Sequence, residues 1–175
     1  MYCRVAEKML RSSPRSNLGG SMRATVESPV SQTLVVERAT GADRVAMVEM
    51  YLSFDPKGLA LGLPPRKDPA PWLESLSAFP NFVVKVQGRV VGHGVLCVDK
   101  DAAETAVFVH QDWRGHGIGK VLLRELIAEG RRQNLRRVWG MAAPDNFVML
   151  RLADSLGFVP GSDPGIFHLD LQGEL

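Results

Sequence analysis

A glycine-rich turn between an apolar run and an amphipathic run limits this chain more than any other feature. Thr105-Ala106-Val107-Phe108-Val109 reads as a strand, His110-Gln111-Asp112-Trp113 breaks it, and Arg114-Gly115-His116-Gly117-Ile118-Gly119 leads into a helix from Lys120 to Gln133. Leu122, Leu123, Leu126 and Ile127 give that helix an apolar stripe, and Lys120, Arg124, Glu125, Arg131 and Arg132 occupy much of the rest. Strand, glycine loop and helix together build an anion site. The first-turn N–H groups have no helical carbonyl to meet, and the helix dipole favours negative charge. The loop is read as the holder of a pyrophosphate.

Spacing narrows the choice of nucleotide. A Walker A loop needs G-x-x-x-x-G-K-[ST]. Here Val121 follows Gly119-Lys120 and cannot ligand magnesium, and Arg114 stands where the first glycine belongs. A dinucleotide loop needs G-x-G-x-x-G after the first strand of a βαβ unit. Counted from Gly115 the third glycine falls on Lys120, and counted from Gly117 it falls on Leu122. The pattern that fits is [RQ]-x-x-G-x-[GA], on Arg114, Gly117 and Gly119.

The flanking chain sets the context. Residues 1–32 are Arg- and Ser-rich and read as a flexible extension, with a single domain over 33–175. Leu34–Arg38 reads as a strand. Thr40 suits the N-cap of a helix over about 41–53. Phe54–Pro71 holds seven Gly and Pro residues and reads as a long loop, of the kind that carries function. A short helix over 71–77 follows. Asn81–Gln87 and Val90–Val98 read as strands joined by a tight turn at Gly88-Arg89, and Lys100-Asp101 turns into the strand at Glu104. Arg137–Ala142 is a further strand, parallel to 104–110 across the helix. Pro144-Asp145-Asn146 leads into a helix over 147–156 stopped by Gly157, and Ile166–Leu171 alternates as a last strand.

Gly117 and Gly119 in their loop, the Asn146 helix ending in Leu156-Gly157-Phe158, and a hairpin and strand before the loop together resemble the GNAT superfamily of acyl-CoA-dependent N-acetyltransferases. The resemblance spans roughly Leu34 to Leu171, and the Asn146 segment looks most like bacterial protein-lysine acetyltransferases. It implies a mixed α/β fold: a twisted, mostly antiparallel sheet of about 6–7 strands, about four flanking helices, and splayed parallel strands at the cofactor site. It further implies acetyl-CoA as cosubstrate, with no metal. Its pyrophosphate would rest on backbone N–H groups of Arg114, Gly115, His116, Gly117, Ile118, Gly119 and Lys120, its pantetheine along Phe108 and Val109, with Asn146 nearby. A glycine loop that only tightens a strand–helix turn is the alternative.

Aminolysis of a thioester needs a neutral amine, and a lysine amine titrates near 10.4, so a base must be found. Glu104 is the choice. It opens the strand that should carry the thioester and shares a face with apolar Ala106 and Phe108, where a carboxylate should titrate high. The position is similar to the catalytic glutamate of the protein-lysine acetyltransferases. A solvated strand-edge glutamate is the competing reading, and His110 and His93 are the next candidate bases. Many family members carry a Tyr seven residues after the Asn as general acid, whereas this chain has Ala153 there. Unassisted thiolate departure, water, Ser155 or another group would take over.

The acceptor is a primary amine on a small molecule or a protein lysine, with the Phe54–Pro71 loop shaping its site. A non-catalytic acyl-CoA-binding module is the second reading. A net charge of +2 is too small to argue for nucleic acid by itself, and Arg131, Arg132, Arg136 and Arg137 read as a solvated helix end rather than a nucleic-acid patch. No apolar run is long enough to cross a membrane. With Cys3 and Cys97 in unrelated segments, a disulfide framework is not indicated, and a cytoplasmic protein is expected. A homodimer is left open.

Overall fold

The computed structural model describes residues 24–27, 33–55 and 68–172. The rest of the 1–32 extension and most of the Phe54–Pro71 loop lie outside the described residues. Strands β1 (Ala24–Glu27), β2 (Thr33–Arg38), β3 (Asn81–Val86), β4 (Arg89–Asp99), β5 (Ala102–Val109), β6 (Arg137–Met141), β7 (Val159–Pro160) and β8 (Ile166–Asp170) form one sheet in the order β1-β2-β3-β4-β5-β6-β8-β7. Every neighbouring pair is antiparallel except β5 and β6. Four α-helices accompany it: α1 (Arg44–Leu52), α2 (Ala70–Leu76), α3 (Ile118–Arg132) and α4 (Phe147–Asp154). The seven strands and four helices from Thr33 onward are those expected for a mixed, mostly antiparallel fold. Strand β1 is an addition inside the 1–32 stretch, so the ordered sheet begins before the boundary set at Thr33.

Local chemistry explains the boundaries. The Asp43 carboxylate accepts from the Thr40 amide at 2.8 Å and the Thr40 hydroxyl at 3.0 Å. That cap starts a single 3₁₀ turn (Gly41–Asp43) before the α geometry of α1 sets in. The β3–β4 hairpin turns on Gln87-Gly88, one residue earlier than the sequence suggested. Both residues have positive φ, 49° and 78°, which matches the handedness of the paired strands. Glu104 is the third residue of β5 rather than its first, because pairing with β4 already begins at Asp99↔Ala102.

The two faces of the sheet are covered differently. On one face α3 buries Leu122, Leu123 and Leu126 against Val84, Leu96 and Val138. On the other, α1 and α2 bring Met47, Met50, Tyr51 and Leu73 onto Val83, Val90 and Phe108. The basic group near the end of α3 is largely neutralised. Arg132 reaches Glu125 at 2.7 Å and Glu129 at 2.8 Å, Arg136 reaches Asp101 at 3.0 Å, and Arg137 reaches Asp170 at 2.6 Å. Burial pushes the Glu129 carboxyl up, but hydrogen bonds from Gln133 and Arg132 outweigh it and hold the group below the usual carboxylate range. No helix among the described residues is long and apolar enough to cross a membrane.

The α3 contact depends on Gly92 in β4. A Cβ built there falls 2.7 Å from Ile118 Cγ2 and 3.1 Å from Leu122 Cδ1. Gly92→Ala should therefore overpack the interface and cost about 1–3 kcal/mol, read as a lower midpoint with unchanged slope in urea unfolding.

Candidate functional site

The site grows from the place where β5 and β6 stop pairing. Their register is Ala102↔Arg137, Ala103↔Val138 and Glu104↔Trp139, and it goes no further. Beyond Trp139, Gly140 and Met141 pair only with Phe167 and Ile166 of β8. The strands separate at Glu104. The Thr105 hydroxyl spans the start of the gap by donating to the Trp139 carbonyl at 3.1 Å. A cavity of about 540 Å³ opens there, lined by Glu104–Val109 on one bank and by Met141, Ala142 and Asn146 on the other. The backbone edge of β5 that β6 leaves unpaired faces this cleft, as an exposed strand edge able to pair with an extended ligand.

At one end lies the glycine loop. Gly117 is the N-cap of α3 and has φ 80°, a left-handed conformation that a side chain strains. Gly115 is also left-handed, and an added Cβ at either position would meet nothing within 4 Å. The loop therefore presents bare backbone to open space in front of a 15-residue helix. Gly115, Gly117, Gly119 and Lys120 line the cavity, as do Phe108, Val109, Arg114 and Asn146. His116 and Ile118 do not line it. The His116 Nδ1 bonds the Arg114 carbonyl at 2.9 Å, and the Ile118 side chain is buried in the core under Gly92. For Ile118 only the backbone remains to serve an anion. Asn146 caps α4, its Oδ1 accepting from the Met149 amide at 3.1 Å.

Arg114 does more than the motif implies. Its Nε donates to the Val109 carbonyl at 3.2 Å and its Nη2 to the Asp55 carbonyl, with the guanidinium 5.6 Å from the centre of the Phe54 ring. Gln111 adds a two-point clamp, donating to the Ser53 carbonyl at 2.8 Å and accepting from the Asp55 amide at 2.9 Å. The glycine-loop segment and the chain leaving α1 are thus fastened together.

At the other end Glu104, 6% exposed, shares its chamber with Phe54, Trp72, Leu76, Val95, Cys97 and Phe108. Cys97 lies directly across the ladder from Glu104. Of these apolar neighbours, the sequence singled out Phe108 alone. Strand alternation finds Val95 and Cys97 once the turn at Lys100-Asp101 fixes the register, but nothing local brings Trp72 across from α2.

The candidate histidine bases are committed elsewhere. The amide nitrogen of Asn81 donates to the carbonyls of Leu76 and Phe79, both at 2.8 Å, so its Oδ1 faces His93 Nε2 at 2.8 Å. Nε2 must then carry the proton, and Nδ1 accepts from the Tyr51 hydroxyl at 2.6 Å. Full burial holds His93 down at about 3 and pushes the Tyr51 hydroxyl well above its usual value. His93 is a neutral structural residue. The His110 Nε2 sits 3.2 Å from the Ser53 hydroxyl, and its side chain does not line the cavity. Ala153, in place of the family's tyrosine, is buried. Ser155 is exposed, with its hydroxyl on the Leu152 carbonyl at 2.8 Å. Among the described residues, no group of His, Cys, Asp and Glu is placed to hold a metal ion.

Comparison with known proteins agrees with this architecture. A family model described as the GNAT family of acetyltransferases matches residues 45–158, and the chain belongs to that family. An acetyltransferase of Pseudomonas aeruginosa is 35% identical over 68 residues, which is 39% of this chain and 37% of the relative. The match thus spans little more than a third of that curated relative. The GNAT domain of S. lividans PAT superposes with a TM-score of 0.74 at 18% identity, over 85% of this chain and 96% of that one. A GNAT superfamily phosphinothricin acetyltransferase from Sinorhizobium meliloti, solved in complex with AcCoA, gives 0.65 at 20% identity, over 78% and 88%. At these identities the structural likeness speaks for the fold.

The His93 circuit has a pH signature. Its folded value lies below the unfolded value of about 6.5, so the unfolded chain binds the extra proton and stability falls as pH drops from about 6.5 toward 3. Between pH 6.5 and 5 the loss attributable to His93 should be about 1–2 kcal/mol. Denaturant unfolding at the two pH values checks this, and His93→Gln should remove most of the difference.

Proposed function

We propose that this GNAT acetyltransferase moves the acetyl group of acetyl-CoA to a primary amine by direct attack, with Glu104 as the general base. The observation that carries the reading is the position of Glu104: it is the last residue of the β5–β6 ladder, at the mouth of the gap that leads to the glycine loop.

The residues present fit acetyl-CoA. The left-handed glycines and the helix N-terminus offer N–H groups to a pyrophosphate, with Lys120 adding charge. The edge of β5 beyond Glu104 can take the amide groups of a pantetheine arm as an added strand. Bound acetyl-CoA would supply an activated acyl group with a leaving thiol of pKa about 8.5, so departure needs little acid help. That is consistent with a buried Ala153 at the position of the tyrosine in the family pattern. Glu104 takes the proton that the acceptor ammonium must lose before it attacks. The nitrogen forms its bond to the acyl carbon as the carbon–sulfur bond breaks, the nitrogen gives up its second proton to solvent, and the thiolate is protonated from water. Glu104 is buried among the apolar walls of the chamber, on the β5 strand along which the thioester would lie.

Thiol release from acetyl-CoA with a panel of amines tests the reading. Glu104→Gln should lower kcat by about 10²–10⁴-fold, the range of general-base catalysis, while the acetyl-CoA dissociation constant stays within about threefold. Acetyl-CoA binding without amine-dependent thiol release would establish a binding module instead. Unchanged kcat in Glu104→Gln would remove the base.

A further inference from the structure

The chamber in front of Glu104 has a chemical character of its own. The register pairs Val95 with Ala106 and Cys97 with Glu104, and these four side chains lie on the face of the sheet away from α3. Trp72 and Leu76 reach the same chamber from α2, and Phe54 from the end of α1. Phe108 closes the wall edge-to-face with Trp72 at 5.6 Å and with Phe54 at 6.1 Å. Among the described lining residues Glu104 is the only carboxylate, and the two cations, Arg114 and Lys120, belong to the glycine loop.

From this we infer that the acceptor is a primary amine joined to an apolar, aromatic body, recognised by the Phe54–Trp72–Phe108 wall. The inference rests on the reading above that Glu104 faces the acceptor. Ring faces attract an ammonium group, and the apolar remainder of such a molecule gains by leaving water. A second ammonium, as in a polyamine, or a carboxylate beside the amine would be desolvated against these walls with no described counter-charge near it. The chamber therefore favours an arylalkylamine over a polyamine, an amino acid or an acidic peptide.

The test uses the full chain with acetyl-CoA and four probes: phenethylamine, spermidine, glutamate and an Nα-acetyl-lysine amide. Products are read by mass spectrometry and kcat/KM by thiol release. Phenethylamine should lead the others by at least about tenfold. Trp72→Ala should raise its KM by about tenfold or more while leaving the acetyl-CoA dissociation constant near that of the parent. A lead for spermidine, glutamate or the lysine amide would overturn the inference while leaving amine acetylation standing. If no amine is acetylated, the proposed function fails, and the inference is judged by binding alone. Calorimetric titration of phenethylamine into the CoA-loaded protein must then show saturable binding that Trp72→Ala weakens, and its absence overturns the inference.

Discussion

The molecule is organised by a ladder that stops. Three cross-strand pairs tie β5 to β6, and then the two strands take different partners, β5 staying on β4 and β6 on β8. A parallel pair must be reached by a crossover, here α3, and the crossover places a helix N-terminus beside the gap it creates. One topological fact thus yields three things at once: an exposed strand edge, a left-handed glycine turn at a helix N-terminus at its far end, and a carboxylate at its mouth. Gly140 belongs to the same device, since a Cβ there would fall 2.6 Å from the Phe167 ring. The glycine lets β8 close onto β6 just where β5 leaves it.

The face opposite α3 solves a different problem. It must hold a hydrophobic layer together while leaving an apolar hollow in it. Tyr51, His93 and Asn81 do this with polar atoms, each bonded to the next and the last to backbone carbonyls. Buried polar groups with complete partnerships specify one arrangement more sharply than interchangeable methyl groups. The ring of His93 lies nearly parallel to that of Phe108, 20° apart with centroids at 6.4 Å, so the circuit also sets the angle of the chamber wall.

Much of this was legible in the sequence, and the limits have physical causes. The glycine spacing, the apolar stripe of α3 and the alternation along β4 and β5 are local patterns, and they located the glycine loop and Glu104 within the fold. Strand β1 escaped because its four residues sit inside a stretch whose composition reads as unstructured, and only pairing with β2 reveals it. His93 looked like a candidate base because its partners, Tyr51 and Asn81, are 42 and 12 residues away. The chamber wall escaped for the same reason: Phe54, Trp72 and Phe108 come from three elements, and no short-range pattern unites them.

Arg114 carries a consequence for how this protein can be taken apart experimentally. Its position in the glycine loop marks it as a cofactor residue, yet its guanidinium is spent on the Val109 carbonyl, the Asp55 carbonyl and the face of Phe54. One side chain therefore belongs to both halves of the site. Under the proposed function, truncating it would loosen the glycine-loop end and unfasten the Phe54 wall in the same stroke, so the two Michaelis constants would rise together. A double rise of that kind ordinarily reads as general misfolding. In this protein it would be the signature of a single shared rivet, and the two halves can be separated only through residues such as Gly117 or Trp72 that serve one of them alone.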